Sequence, residues 1–536
     1  MNRSGFRGIG MFTRLRRFRR DEGGSLIIFS LFIFVLILMA GGMAVDLMRY
    51  ESMRTNVQNT LDRAILAAAS LDQTVDAQTV VDDYFAKAGL SRFNPVTTDD
   101  TDDLTYSTVS TTATANMPTM FMKNLGIPTL AAMMQGRAQE RISDIEISLV
   151  LDISNSMNGS RRLQNLKVAA RDFIDTIFDS AQEGTVAVSI IPYNTQVNVG
   201  RDILKHYTTV HGHDHSHCVD FDAADFRTVI IETNLALKQT AHFDPVSQYS
   251  SNRNGEYNIT PSWFPCDPRP SSRVLPLSGS RDDLKDAIES LIASGNTSTE
   301  IGVKWGAALL DPSFRPVTQG LVHDGVIDAD FAHRPVNYSD SQTLKVIVLM
   351  TDGANTTQWY QSDSYSSGMS RVWRDPNGRL SVLRDTSTCN KIPTPTNSKC
   401  FYRVRAGGNH DTADGGNAAV RMSYPDLWAL YTTDYVARLH GWAANSNSTY
   451  NSFRNATSNN TVSGSTKNTR MGQICSQAKS RDIVIFSIGF EITNASAVHM
   501  ANCASSESHF YRVAGTQLAT AFAEIANKIS RLRLVQ

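Results

Sequence analysis

Asp152, Ser154 and Ser156 alternate in Asp152-Ile153-Ser154-Asn155-Ser156, so one carboxylate and two hydroxyls emerge together where an apolar run gives way to a loop. Such oxygens are the ligands a hard dication prefers. Far along the chain, Gly295-Asn296-Thr297 supplies another hydroxyl just before a helical pattern, with Thr299 as its substitute, and Thr351-Asp352-Gly353 supplies a second carboxylate at the end of another apolar run. Asp152, Ser154, Ser156, Thr297 and Asp352 can converge on one octahedral ion, with water filling the remaining positions. Magnesium is the expected cofactor, with manganese or calcium as alternatives. Only two carboxylates face the dication, so the ion can recruit an acidic group from a protein partner as its last ligand. That is binding chemistry. No residue is placed by motif as a general base and H-E-x-x-H is absent, so no enzyme is expected.

A second group of potential ligands competes with this one. His206, His211, His213, His215 and His217 stand beside Asp214 and Cys218, and in an extended segment alternate spacing would put His211, His213, His215 and His217 on one face. Such a set can hold zinc or copper, which keeps a zinc-dependent envelope hydrolase as the alternative function; a solvated loop is the plainer reading. The six cysteines have no CxxC spacing. Proximity pairs Cys218 with Cys266, Cys389 with Cys400 and Cys475 with Cys503, out of fifteen connectivities, and reduced thiols are the other possibility.

The elements that must position these residues follow from patterning. Arg14, Arg16, Arg17, Arg19 and Arg20 precede an uncharged apolar run from about Ser25 to Val45, the roughly 20 residues a helix needs to cross a bilayer. The one-sided arginines predict a cytoplasmic amino terminus and a periplasmic or extracellular bulk on a single-pass inner-membrane protein. A cleaved signal peptide is the competing reading. Helical periodicity then continues as an amphipathic rod to about Leu71. A helix at VVDDYFAKAGL and alternating strands at TYSTVSTTATANM and Ala131 to Arg141 complete a small α+β module. From Asp144, apolar strands (IEISLVLDIS, TVAVSIIPY, LKVIVLMTDG, DIVIFSIGF) alternate with amphipathic helices, which predicts a doubly wound, mostly parallel sheet with ligands at its carboxyl edge. Lys plus Arg is 51 and Asp plus Glu is 52, so no basic face announces a nucleic-acid partner.

The order D-x-S-x-S, then Thr297, then Asp352, set on two strand ends and one helix start, resembles the metal-ion-dependent adhesion site of von Willebrand factor A domains. The resemblance implies that Ser154, Ser156 and Thr297 ligate directly and that Asp152 and Asp352 act partly through water. The amino-terminal RRFRRDEGGS, the apolar span, AVDLMRY and LDRAILAAAS, together with Gly295-Asn296-Thr297, Ile301-Gly302, Trp305-Gly306 and the ending AFAEIANKISRLRL, are similar to the TadG family of tight-adherence (Flp) pilus-assembly proteins. Related pseudopilins carry a glutamate where Phe29 follows Gly24, so prepilin-type cleavage is not expected. The organisation implied is a cytoplasmic basic segment (1–24), a transmembrane helix (25–45), a rod and α+β module (46–143), and an A-type domain (144–536) with insertions at about 201–280 and 354–465. The expected function is a cation-dependent protein-binding factor in pilus assembly or surface adhesion, with pilus-assembly components as partners. A structural stalk with a vacant ion site is the third reading.

Overall fold

The computed structural model describes residues 23–530, apart from 71–72, 74, 94, 103–105, 142–143, 180–183, 250–258, 341 and 391–397. The basic segment expected in the cytoplasm falls on residues outside that description. The chain divides into two compact units, Met1–Arg141 and Ile142–Gln536.

In the first unit, the apolar run and the rod form one continuous helix, α1 (Gly23–Ala68). The stretch Leu26–Ala68 is long and apolar enough to cross a membrane. Beyond the apolar run, Val57, Leu61, Ala64, Ile65 and Ala68 recur at helical spacing and are buried. They pack against α2 (Ala77–Lys87), capped by Asp76, and against an antiparallel meander of β1 (Val96–Asp102), β2 (Tyr106–Pro118) and β3 (Thr129–Arg141). Sequence reading overlooks β1 because Val-Thr-Thr-Asp-Asp-Thr-Asp has no alternation of apolar residues; it forms as an edge strand by pairing with β2.

The second unit is built on a mixed sheet of β4 (Asp144–Asp152), β5 (Val186–Tyr193), β6 (Leu275–Ser278), β7 (Thr343–Thr351), β8 (Val484–Phe490) and β9 (Phe510–Val513), in the order β9-β8-β7-β4-β5-β6. All neighbours pair in parallel except β6, which runs antiparallel to β5 at the edge. The sequence reading leaves Leu275–Ser278 inside the first insertion; four residues are too short to show a period. The helices α3 (Arg162–Asp179), α4 (Thr299–Ala308), α5 (Gly464–Lys479), α6 (Asn494–Cys503) and α7 (Gln517–Ser530) cover this sheet or one another. The two glycines of α4 set its closeness: a Cβ at Gly302 would lie 2.8 Å from a Val150 methyl, and one at Gly306 would lie 2.7 Å from the other. The strands are not wholly apolar. Glu146 on β4 sits opposite Lys345 on β7 and bonds it at 2.5 Å, with the buried Arg334 at 3.4 Å, so these charges are compensated within the core.

Both insertions are folded. The first carries short strands at Thr209–Val210, Val219–Asp220 and Leu237–Gln239; the second has a five-stranded sheet and helices at Tyr424–Leu430, Thr433–Ala444 and Asn447–Ser458. They share one core, in which Ala241 and Phe243 of the first meet Val372, Val382, Leu427 and Trp428 of the second. A two-stranded neck, Gln358–Trp359 against Thr461–Val462, leads into and out of the second. Disulfides join Cys218 to Cys266, Cys389 to Cys400 and Cys475 to Cys503.

Candidate functional site

Parallel pairing puts Leu151 opposite Met350, so Asp152 and Thr351-Asp352 leave the sheet side by side. The Thr351 hydroxyl donates to Asp152 Oδ2 at 2.7 Å, and Asp152 Oδ1 accepts the Ser154 N–H at 2.8 Å. Both oxygens of this buried carboxylate therefore shape the loop. The Ser154 and Ser156 hydroxyls are 3.0 Å apart, and Ser156 Oγ donates to Asp352 Oδ1 at 2.6 Å. An unbroken chain of oxygens results, and its middle link, Ser156, is exposed.

Thr297 joins this group through its backbone. Its N–H donates to Thr356 Oγ1 at 2.9 Å and its carbonyl accepts the Thr356 N–H at 3.1 Å, while the Asn155 N–H donates to Gly295 O at 3.0 Å. Thr299, the substitute, starts α4 and gives its N–H to Asn355 Oδ1 at 2.7 Å. The three loops predicted to converge are thus laced to one another.

Three charged residues that sequence reading passed over complete the surroundings. Arg162, at the start of α3, pairs with Asp352 Oδ2 at 2.9 Å and with Glu491 at 2.8 Å, so it neutralises the side of Asp352 away from the serines. Lys467, fully buried on α5, donates to Thr297 O at 2.7 Å, Thr356 O at 2.8 Å and Ser298 Oγ at 2.5 Å. It ties the second loop to the third. Burial lowers its pKa to about 8. Burial first, and then the Asp352 carboxylate, push Asp152 up to about 6, which marks a place where positive charge is in deficit. Arg162 had a weak signal, two arginines just after the serine loop; one lysine in a polar helix had none.

The histidines are not gathered into one ligand set. His211 Nδ1 meets Ser367 Oγ at 2.8 Å, His213 Nε2 donates to Thr240 O at 2.9 Å, and His215 Nε2 meets Asp426 at 3.2 Å. His213 Nδ1 accepts the His215 N–H, so both its nitrogens are engaged. Among the described residues, no three His, Cys, Asp or Glu side chains stand where they could share a metal ion. What forms instead is a ring stack: His215 on His242 at 5.5 Å and His242 on Phe264 at 3.9 Å. His242 lies outside the histidine-rich run, and no spacing flagged it.

Residues 23–71 match a family whose description reads "Putative Flp pilus-assembly TadE/G-like". No curated protein sequence matches the chain. Among solved structures, the von Willebrand factor domain of the type V pili tip protein Mfa5 from Porphyromonas gingivalis is 13% identical, with 74% of this chain and 98% of that one covered and a TM-score of 0.31. The pilus adhesin SpaC from Lactobacillus rhamnosus GG is 12% identical, with 82% of this chain covered and a TM-score of 0.30; this chain spans 34% of its length. The pilus adhesin RrgA from Streptococcus pneumoniae is 11% identical, with 82% and 48% covered and a TM-score of 0.29.

Proposed function

We propose that this chain is a membrane-anchored, cation-dependent protein-binding factor of the bacterial envelope, acting in Flp/Tad-type pilus assembly or surface adhesion rather than as an enzyme. Its second unit is read as a doubly wound, von Willebrand A-like domain, exported on α1. The observation that carries the reading is the oxygen chain Ser154–Ser156–Asp352 at the carboxyl edge of β4 and β7, open to solvent at Ser156. The donors fit a hard dication: two hydroxyls and one carboxylate oxygen in contact, a second carboxylate fixed behind them, and a threonine loop laced alongside. Asp152, Ser154, Ser156, Thr297 and Asp352 would hold it. When bound, the ion supplies positive charge at the surface that an acidic side chain of a partner can complete. Arg162 holds Asp352 in place, and Lys467 fixes the loop of Thr297. The match over residues 23–71 supports the pilus-assembly context, with pilus components as partners. Magnesium is the ion proposed, on the preference of hard oxygen donors for it.

Calorimetric titration of magnesium and of manganese into the full chain in detergent tests this. The wild type should bind one ion saturably, and Ser154→Ala with Ser156→Ala, which alters no charge, should abolish binding while the thermal midpoint is retained. Undiminished binding by that variant, or none by the wild type, would overturn the site.

A further inference from the structure

The loop between β2 and β3, Thr119-Met-Phe-Met-Lys-Asn-Leu-Gly-Ile-Pro128, is the most apolar exposed segment of the first unit outside α1. Met120, Phe121, Leu125 and Ile127 are 56%, 44%, 43% and 41% exposed. A loop that only joins two strands has no need of four such side chains in water.

Its position explains them. The Asp46 carboxylate, buried on α1, accepts the backbone N–H groups of Met120, Phe121 and Met122 at 2.9, 2.7 and 2.9 Å. A Cβ at Gly42 would lie 2.5 Å from the Phe121 ring, so the glycine lets that ring lie directly on the helix. The loop is thereby fixed beside residues 42–46. The apolar run from Leu26 to Val45 is about 30 Å of helix, the thickness of a bilayer core, and Gly42 is about 4.5 Å inside its outer end.

We propose that the β2–β3 loop is a second membrane contact, its apolar side chains entering the outer acyl and headgroup boundary beside α1. The inference rests on the reading of α1 as a membrane span. The occupant is lipid because the exposed patch is continuous with the lipid-facing surface of α1, where Met43, Val45, Leu47 and Met48 are also exposed. Lys123, exposed on the same loop, suits the headgroup level. Asp46 also gains an explanation: three N–H donors satisfy it where an unpaired carboxylate would be costly.

The test is fluorescence of the full chain in phosphatidylcholine vesicles with and without bromine on the acyl chains, which quenches tryptophans that reach the hydrocarbon. Phe121→Trp and, separately, Leu125→Trp each add emission to that of the native tryptophans. That added emission should be blue-shifted and lose a share comparable to that lost by Leu31→Trp within the span. Val96→Trp, about 20 Å along the meander, should lose none. Unquenched Phe121→Trp and Leu125→Trp beside a quenched Leu31→Trp would overturn the inference and hand the patch to a protein or a second copy. An unquenched Leu31→Trp would overturn the span itself.

Discussion

Acidification should loosen the joint between the insertions, because two imidazoles are buried there in their neutral forms. Burial lowers His213 to about 4; burial, and then the neighbouring His213 and His215, lower His242 to about 3. A histidine whose folded pKa is depressed gives stability that is complete above its unfolded pKa, near 6.5, and lost as pH falls toward the folded value. Between pH 7 and pH 5 the unfolded chain gains nearly one proton per site that the folded chain refuses, which costs about 2 kcal/mol each and about 4 kcal/mol together. The charged and titratable groups that act on the two rings are His215, His217 and Asp214, and Asp214 offsets part of the effect at His213. His242→Phe would keep the stack on Phe264 without a proton to bind. Thermal unfolding of the full chain at the two pH values, for wild type and variant, measures the effect. The wild type should lose several degrees and the variant about half as much. Equal losses, or none in the wild type, would refute burial of these rings as the cause.

Two further perturbations probe the candidate site. Lys467→Met removes the ammonium that bonds two loop carbonyls and faces Glu300 at 3.9 Å. Stability should fall by about 3–5 kcal/mol in a denaturant titration, and magnesium affinity should weaken with it. Arg162→Met removes a cation from Asp352, and calorimetry should show magnesium binding about five- to tenfold tighter, the relief of roughly 1–1.4 kcal/mol of repulsion.

The alternating strands and helices of the second unit were legible because β4, β5, β7 and β8 are apolar runs and their helices carry an apolar stripe. The convergence of the three loops could be anticipated from position alone, since parallel strands end on one edge. What holds the loops could not. Lys467, Arg162 and Glu491 act through contacts between residues hundreds of positions apart, and a single charged residue in a polar helix has no local signature. The insertions were legible as departures from the rhythm but not as folded bodies, because strands of two to six residues are too short for a period to emerge. Nor does Asp46 announce itself: a lone carboxylate after an apolar run reads as the end of a span, and only the hairpin beneath it shows what it holds.

The shared core of the two insertions bears on how such a protein can diversify. Phe243 and Trp428 come from segments that leave the sheet at different places, yet they fill one interior. A change of side chain in one segment calls for an answering change in the other, so the pair is expected to be inherited and exchanged as one cassette. The narrow Gln358–Trp359 and Thr461–Val462 neck makes the second half easy to graft, but a graft that leaves Ala241 and Phe243 behind would carry its own surface into a mismatched seat.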